Sequence, residues 1–451
     1  MSNVQERFVR GLRAFGLVVA GLLLAPYRGT ADEAADVAAM EARARRAGLR
    51  VLAGQHVILV TDRPPRAGDG VDDLPSCFDA AFASWCAHYR IDPETLAGWK
   101  ACGCLVMDRE PFRTAGLLPA DRADFANGFC EGRRFWLADQ ANPAYRRHLF
   151  LHEGVHAFTI SVRDLDAPQW YREGIAEYLA THRLTAGGDG RMQFVPTPVP
   201  AAAEHVEQLG RIESLQALAA RGRLPTLPQV FAAPITAHDD ITAYAANWAA
   251  VTLLARHPAH ARVFARLERG PLDLQLDRRL AELPGWDGDR AARDYAAFVS
   301  EIDYGWDFER LAIDWSAGRP PAAVEAVAVA AGRGWQNTGL APSRGSRCTI
   351  SARGRVRVGE IHAAGGAATV LESSADGISL RWYRGRPVGR LLAAQWVGAA
   401  PAAAGRFTVI GEAAEAVCTA VVDGPLFLRI NQAPADLADA RGTLEVRITT
   451  P

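Results

Sequence analysis

The chain changes its hydrophobic periodicity several times, and each change marks an element. "HVILVTD" (His56 to Asp62) is a nearly unbroken apolar run too short for a helix, which predicts a strand. Cys77 to Tyr89 repeats apolar residues at helical spacing, and "CGCLVMD" and "RRFWLAD" predict two further strands. After "NP", Asn142 predicts an N-cap and Pro143 a first helical turn. That helix carries Tyr145, Leu149, His152 and His156 along one side. Past the break at "RDLDAP", a second helix is expected near Pro168 with "QWYREGIAEYLATH", stopping before Gly187 and Gly188. From about 200 to 315 the signals are mostly helical, "AYAANWAAVTLLARH" and "ARDYAAFVSEI" among them. Beyond "SAGRPPAAVEA" they give way to short runs ("RCTISA", "RVRVGEI", "GISLRWY", "RFTVIG", "PLFLRI", "TLEVRI"), broken by Gly, Pro and Asp. That cadence predicts an all-β sandwich.

The 451 residues exceed what one core comfortably organises, so two or three domains are expected. A formal net charge of -1 gives no global attraction to nucleic acid or anionic membrane, and no nucleic-acid partner is expected. The N-terminus stands apart. Arg7, Arg10 and Arg13 precede an apolar run from Ala14 to Ala25, and the small residues "GTA" follow before Asp32. The run is shorter than the ~20 residues a bilayer span needs. A signal peptide over residues 1–31 is expected, with export to the periplasm or medium and no stable membrane span after its removal. Five of seven cysteines (Cys77, Cys86, Cys102, Cys104, Cys130) lie together, while Cys348 and Cys418 are isolated near the C-terminus, where a bridge is expected.

The chemistry concentrates in "HLFLHEGVHAF". Residues four apart share a helix face, so His152 and His156 can aim two imidazoles at one ion, with Glu153 beside them. With 11 histidines, such a motif arises by chance in roughly one or two chains per hundred, so it needs support. "WYREGIAEYLA" supplies it. A catalytic zinc keeps three protein ligands and an open position, and Glu173 can complete a two-His, one-Glu set. Glu177 lies on the same face as Glu173 and can take a hydrogen bond from a ligating histidine. The other histidines form no comparable set.

"HEGVHAF" followed by "PQWYREGIAEYLA" resembles the gluzincin metallopeptidases of the peptidase MA-like families. The resemblance covers about residues 50 to 310. It implies an α+β zincin-like domain in which His152, His156 and Glu173 bind zinc. Glu153 would be the base and acid in peptide-bond hydrolysis by a zinc-activated water. Tyr244 in "AYAANWA" is the expected donor to the oxyanion, with Tyr178 as second choice, and "RRFWLAD" the expected edge for an extended peptide or protein substrate.

"GWQNTGL", "GRPVGRLLAA" and "GPLFLRINQAPADLADARGTLEVRI" resemble the calcium-dependent galactophilic lectin (LecA-like) β-sandwich, over about residues 330 to 450. The family's oxygen ligands are poorly kept: Asn431 is followed by Gln432, and Asp439 by Ala440 and Arg441. The expected organisation is a peptidase domain at 32–318 and a lectin-like sandwich at 319–451 that Cys348 and Cys418 would link internally. The rival readings are an inactive peptidase fold that binds proteins, and a glycan-binding or envelope-contacting protein acting through its C-terminal domain.

Overall fold

The computed structural model describes residues 31–122, 125–186, 192–206, 209–233, 241–362, 366, 368–398 and 405–450. The expected signal peptide therefore lies outside the described residues except for Ala31, as do Gly187 and Gly188. Among the described residues no helix is long and apolar enough to cross a membrane.

The architecture is mixed α and β with several sheets. The first elements are α1 (Ala31–Arg46), β1 (Arg50–Ala53), β2 (Val57–Thr61), α2 (Leu74–Tyr89), β3 (Ala101–Val106), α3 (Arg109–Thr114), β4 (Gly128–Glu131) and β5 (Arg134–Ala138). Then come α4 (Pro143–Arg163), α5 (Gln169–Ala180) and a hairpin of β6 (His182–Ala186) and β7 (Met192–Pro196). The helical region holds α6 (Arg211–Ala220), α7 (Leu227–Ala232), α8 (Ile241–Arg256), α9 (Ala261–Leu267), α10 (Leu276–Glu282), α11 (Gly288–Glu301) and α12 (Phe308–Leu311).

One five-stranded sheet runs β1-β2-β3-β5-β4, with β2, β3 and β5 parallel and the outer two antiparallel. Its central strands are covered on both faces, which is why they read as continuous apolar runs. Val57 and Leu59 of β2 face the core under α2 and α4, while Ile58 and Val60 face α1. The same two-residue period sends Cys102 and Cys104 together into the α1-side core. The expectation of a substrate edge at "RRFWLAD" is corrected: β5 pairs with β3 on one side and β4 on the other. The outer strand is β4.

Helix α4 is anchored at its start. The Asn142 side chain accepts from the amides of Ala144 at 2.8 Å and Tyr145 at 3.1 Å. Arg146, buried, binds Asp139 at 2.6 Å and the carbonyl of Asp69 at 2.9 Å. Helix α5 ends at Ala180, earlier than the periodicity suggests, because the chain turns into β6. Gly174 lets α5 close on α8: a Cβ there would lie 2.5 Å from the Asn247 carbonyl oxygen.

The last segment is all-β: β8 (Val324–Ala330), β9 (Gln336–Asn337), β10 (Arg347–Arg353), β11 (Val356–His362), β12 (Ala368–Ser373), β13 (Asp376–Tyr383), β14 (Arg386–Val397), β15 (Arg406–Glu412), β16 (Glu415–Thr419), β17 (Leu426–Ile430) and β18 (Thr443–Thr449). One sheet runs β16-β10-β18-β8; a second runs β13-β14-β17-β9, with β15 on β14. Trp315, Trp335, Trp396, Phe407 and Phe427 join this segment to Ala297 of α11 in one apolar cluster. Arg429, buried, pairs with Glu301 at 2.8 Å across the same junction. Cys348 and Cys418 sit opposite each other on β10 and β16, but both are free thiols, so the expected bridge is absent. The other five cysteines are also unbridged.

Candidate metal centre

The helical spacing does what it implies, and α4 lays His148, His152 and His156 along one buried stripe facing α5. His152 Nε2 and His156 Nε2 lie 3.1 Å apart. Glu173 Oε2, from α5, is 3.3 Å from the first and 3.4 Å from the second. Tetrahedral ligands at zinc distances are separated by about 3.3 Å, so this triangle has the size of one face of a zinc coordination shell. Two ring nitrogens turned toward each other also need a cation or a shared proton between them, since two lone pairs repel. A site of borderline-soft imidazoles plus one carboxylate suits zinc.

Glu153, one residue around the helix, is buried against β4. A Cβ on Gly128 would lie 2.6 Å from Glu153 Oε1, so the carboxylate occupies the room this glycine leaves open. Burial pushes its pKa up to about 8; His152 works against this, and Glu173 and Glu177 add to it. For His152, burial favours the neutral ring, but Glu173, Glu177 and Glu153 outweigh it and raise its pKa to about 10. Burial likewise opposes the charge on Glu173, yet His156 and His152 hold it well below the usual carboxylate range.

Glu177 stands behind the triangle. Its Oε1 is 3.1 Å from His152 Nδ1, a close but poorly aligned contact, and its Oε2 is 3.2 Å from His148 Nε2. Arg211 contacts both oxygens, at 2.7 and 2.9 Å. Tyr244 of α8 brings its ring centroid within 6.0 Å of that of His152. Tyr178, the second choice, packs beside His88 instead, at 5.8 Å between ring centroids.

Sequence reasoning overlooked two partners, His148 and Arg211. His148 was visible one turn before His152. Arg211 had no local signal except its oddity, an arginine opening a helix directly after glycine. Among the remaining histidines, His257 and His260 meet Asp294 in a second buried cluster that the sequence did not indicate. In the β segment, Asn431 spends its amide internally, Nδ2 lying 3.0 to 3.1 Å from the carbonyls of Tyr383, Arg386 and Pro387.

No family model and no curated protein matches the chain. Among solved structures, an aminopeptidase N family protein from Idiomarina loihiensis is similar at 12% identity and a TM-score of 0.34. That match covers 86% of this chain and 69% of the other. The N-terminal domain of EclA, described as a PllA-like lectin, is similar at 18% identity and a TM-score of 0.19, over 29% of this chain and 98% of that one. Both are distant likenesses, and at these scores neither decides fold or activity.

Proposed function

We propose that this chain is an exported zinc metallopeptidase, with a zincin-like, gluzincin-type domain at 32–318 followed by a lectin-like sandwich at 319–451. The observation that carries the reading is the triangle of His152, His156 and Glu173, with sides of 3.1, 3.3 and 3.4 Å, next to a buried Glu153. These three residues would hold the zinc. When bound, it supplies a Lewis acid that polarises a carbonyl and lowers the pKa of a water toward about 7.

The protein's own groups do the rest. Glu153 takes a proton from the attacking water on its carboxylate and delivers it to the departing amine nitrogen. Glu177, whose Oε1 lies 3.1 Å from His152 Nδ1, draws that side of the ring toward itself and leaves Nε2 to face His156 and Glu173. The Tyr244 hydroxyl donates to the carbonyl oxygen as negative charge develops there. A peptide or protein substrate extends along the outer edge of β4, whose backbone runs past Glu153 at Gly128.

Metal analysis of purified protein tests the first half of this reading, and digestion of a mixed peptide library by wild type and Glu153→Ala tests the second. About one zinc per chain in both proteins, with cleavage by the wild type alone, is expected. Absence of zinc from the wild type, or cleavage undiminished in the variant, refutes it.

A further inference from the structure

Arg211 is the first residue of α6, far along the chain from Glu177. Its Nη2 is 2.7 Å from Glu177 Oε1 and its Nε 2.9 Å from Oε2, a fork that meets both oxygens. The guanidinium also lies over the Tyr244 ring, 5.6 Å from its centroid. Both partners are withdrawn from solvent, with side chains 11% and 2% exposed. Local preference argues against arginine here. The start of a helix is the positive end of its dipole, where a cation is disfavoured. Gly210, with φ at 78°, forms the left-handed turn that brings Arg211 into place. A residue set against local preference in a buried site points to a role beyond packing.

That role follows from what Glu177 touches: one oxygen near His152 Nδ1, the other near His148 Nε2. Single contacts leave a carboxylate free to turn about its last bond, whereas a planar fork on both oxygens fixes its plane. We propose that Arg211 is a positioning residue, whose grip on Glu177 keeps Oε1 on His152 Nδ1 and thereby keeps His152 Nε2 aimed at His156 and Glu173. The consequence for metal affinity rests on the metallopeptidase reading; the consequence for Glu177 does not. His148, His152 and Glu177 also form a second group with ligand atoms within 4.8 Å of one another. The guanidinium already meets the carboxylate of that group, so it stands where a second cation would be needed.

The test compares full-length wild type and Arg211→Ala by zinc competition against a chromophoric chelator and by crystal structure. About 10- to 100-fold weaker zinc binding is expected in the variant, the range for losing a group that orients a ligand. Glu177 should have turned away from His152. Millimolar guanidinium should restore affinity, and urea, similar in shape but uncharged, should not; a packing role alone would not separate the two. Unchanged zinc affinity, equal rescue by urea, or Glu177 still against His152 in the variant overturns the proposal. If the wild type takes up no zinc, the metallopeptidase reading fails, and the position of Glu177 in the variant still decides the role of Arg211. Should Arg211→Ala not fold, Arg211→Lys replaces the fork with a single ammonium; wild-type zinc affinity in that protein also overturns the proposal.

Discussion

Two buried clusters of histidines and a carboxylate sit in the same helical region, and they are chemically unlike. At His152 and His156 the rings are nearly perpendicular, at 83°, with their Nε2 atoms meeting over Glu173. At His257 and His260 the rings are stacked, 28° apart, so their lone pairs do not converge in the same way. The donors are also spent differently. Asp294 accepts from Trp315 at 2.7 Å and contacts His260 at 2.8 Å, with Arg290 at 3.5 Å; His257 Nδ1 accepts from the Ala259 amide. Both Asp294 oxygens are thus engaged by protein donors, Oδ1 by Trp315 and Oδ2 by His260. Residue type and burial are therefore poor guides to a metal centre. What separates the two is whether lone pairs remain directed at one shared point.

This contrast can be broken most directly with His152→Ala. Zinc content is expected to fall from about one per chain to none, and peptide cleavage by about 10³-fold or more, since the Lewis acid is lost. Retained zinc would make the two clusters equivalent. Glu153→Gln sharpens the same side: metal analysis should find full zinc, while kcat falls by about 10²- to 10⁴-fold, the worth of a positioned base. Next in size is Gly128→Ala. Its new methyl would press on Glu153, displacing the carboxylate, and a loss of about 10²-fold in kcat at full zinc occupancy is expected. Wild-type kinetics there would show that Glu153 can relocate freely.

The other cluster is probed by Asp294→Ala, which should leave zinc content and turnover alone and cost about 3–5 kcal/mol in urea unfolding, as when one partner of a buried ion pair is removed. The native Asp294 carboxyl is shifted down: burial opposes the shift, but His260, His257 and Trp315 prevail. Its stabilisation is therefore present above the unfolded carboxyl pKa of about 3.9 and disappears as pH drops through the native value. The gap between wild type and variant should close in acid. A smaller effect comes from His257, whose pKa burial lowers to about 4. Between about pH 6.5 and 4 the unfolded chain takes a proton that the native ring refuses, so stability falls with pH across that window. A flat unfolding profile from pH 7 to 4 would contradict this.

Much of the local structure was legible. Asn142 and Pro143 announced where α4 begins, and the cap geometry agrees. The apolar runs at 57–61 and 101–106 gave strands, because a sheet covered on both faces leaves no polar alternation to misread. The β cadence after 320 was legible for a different reason, turn residues at short intervals between alternating strands. The misses share a cause. The edge at β4 was overlooked because four residues containing one phenylalanine carry little periodicity, and pairing order is not written in a strand's composition. Strand β6 was absorbed into the helix before it, and β7 was not foreseen. For Cys348 and Cys418, sequence isolation suggested a bond, whereas their opposed positions as thiols depend on strand register.

By itself the sequence determined the local relations: which residues share a helix face, where α4 starts, and that Glu153 lies between two imidazoles four residues apart. These depend only on the period of a helix and the chemistry of its cap, both of which are set within a few residues. Only the tertiary structure decided that Glu173 closes the triangle, that Gly128 makes room for Glu153, and that Arg211 rather than solvent faces Glu177. Those relations arise from how separate helices and strands pack, and packing joins side chains whose distance along the chain carries no information about their distance in space.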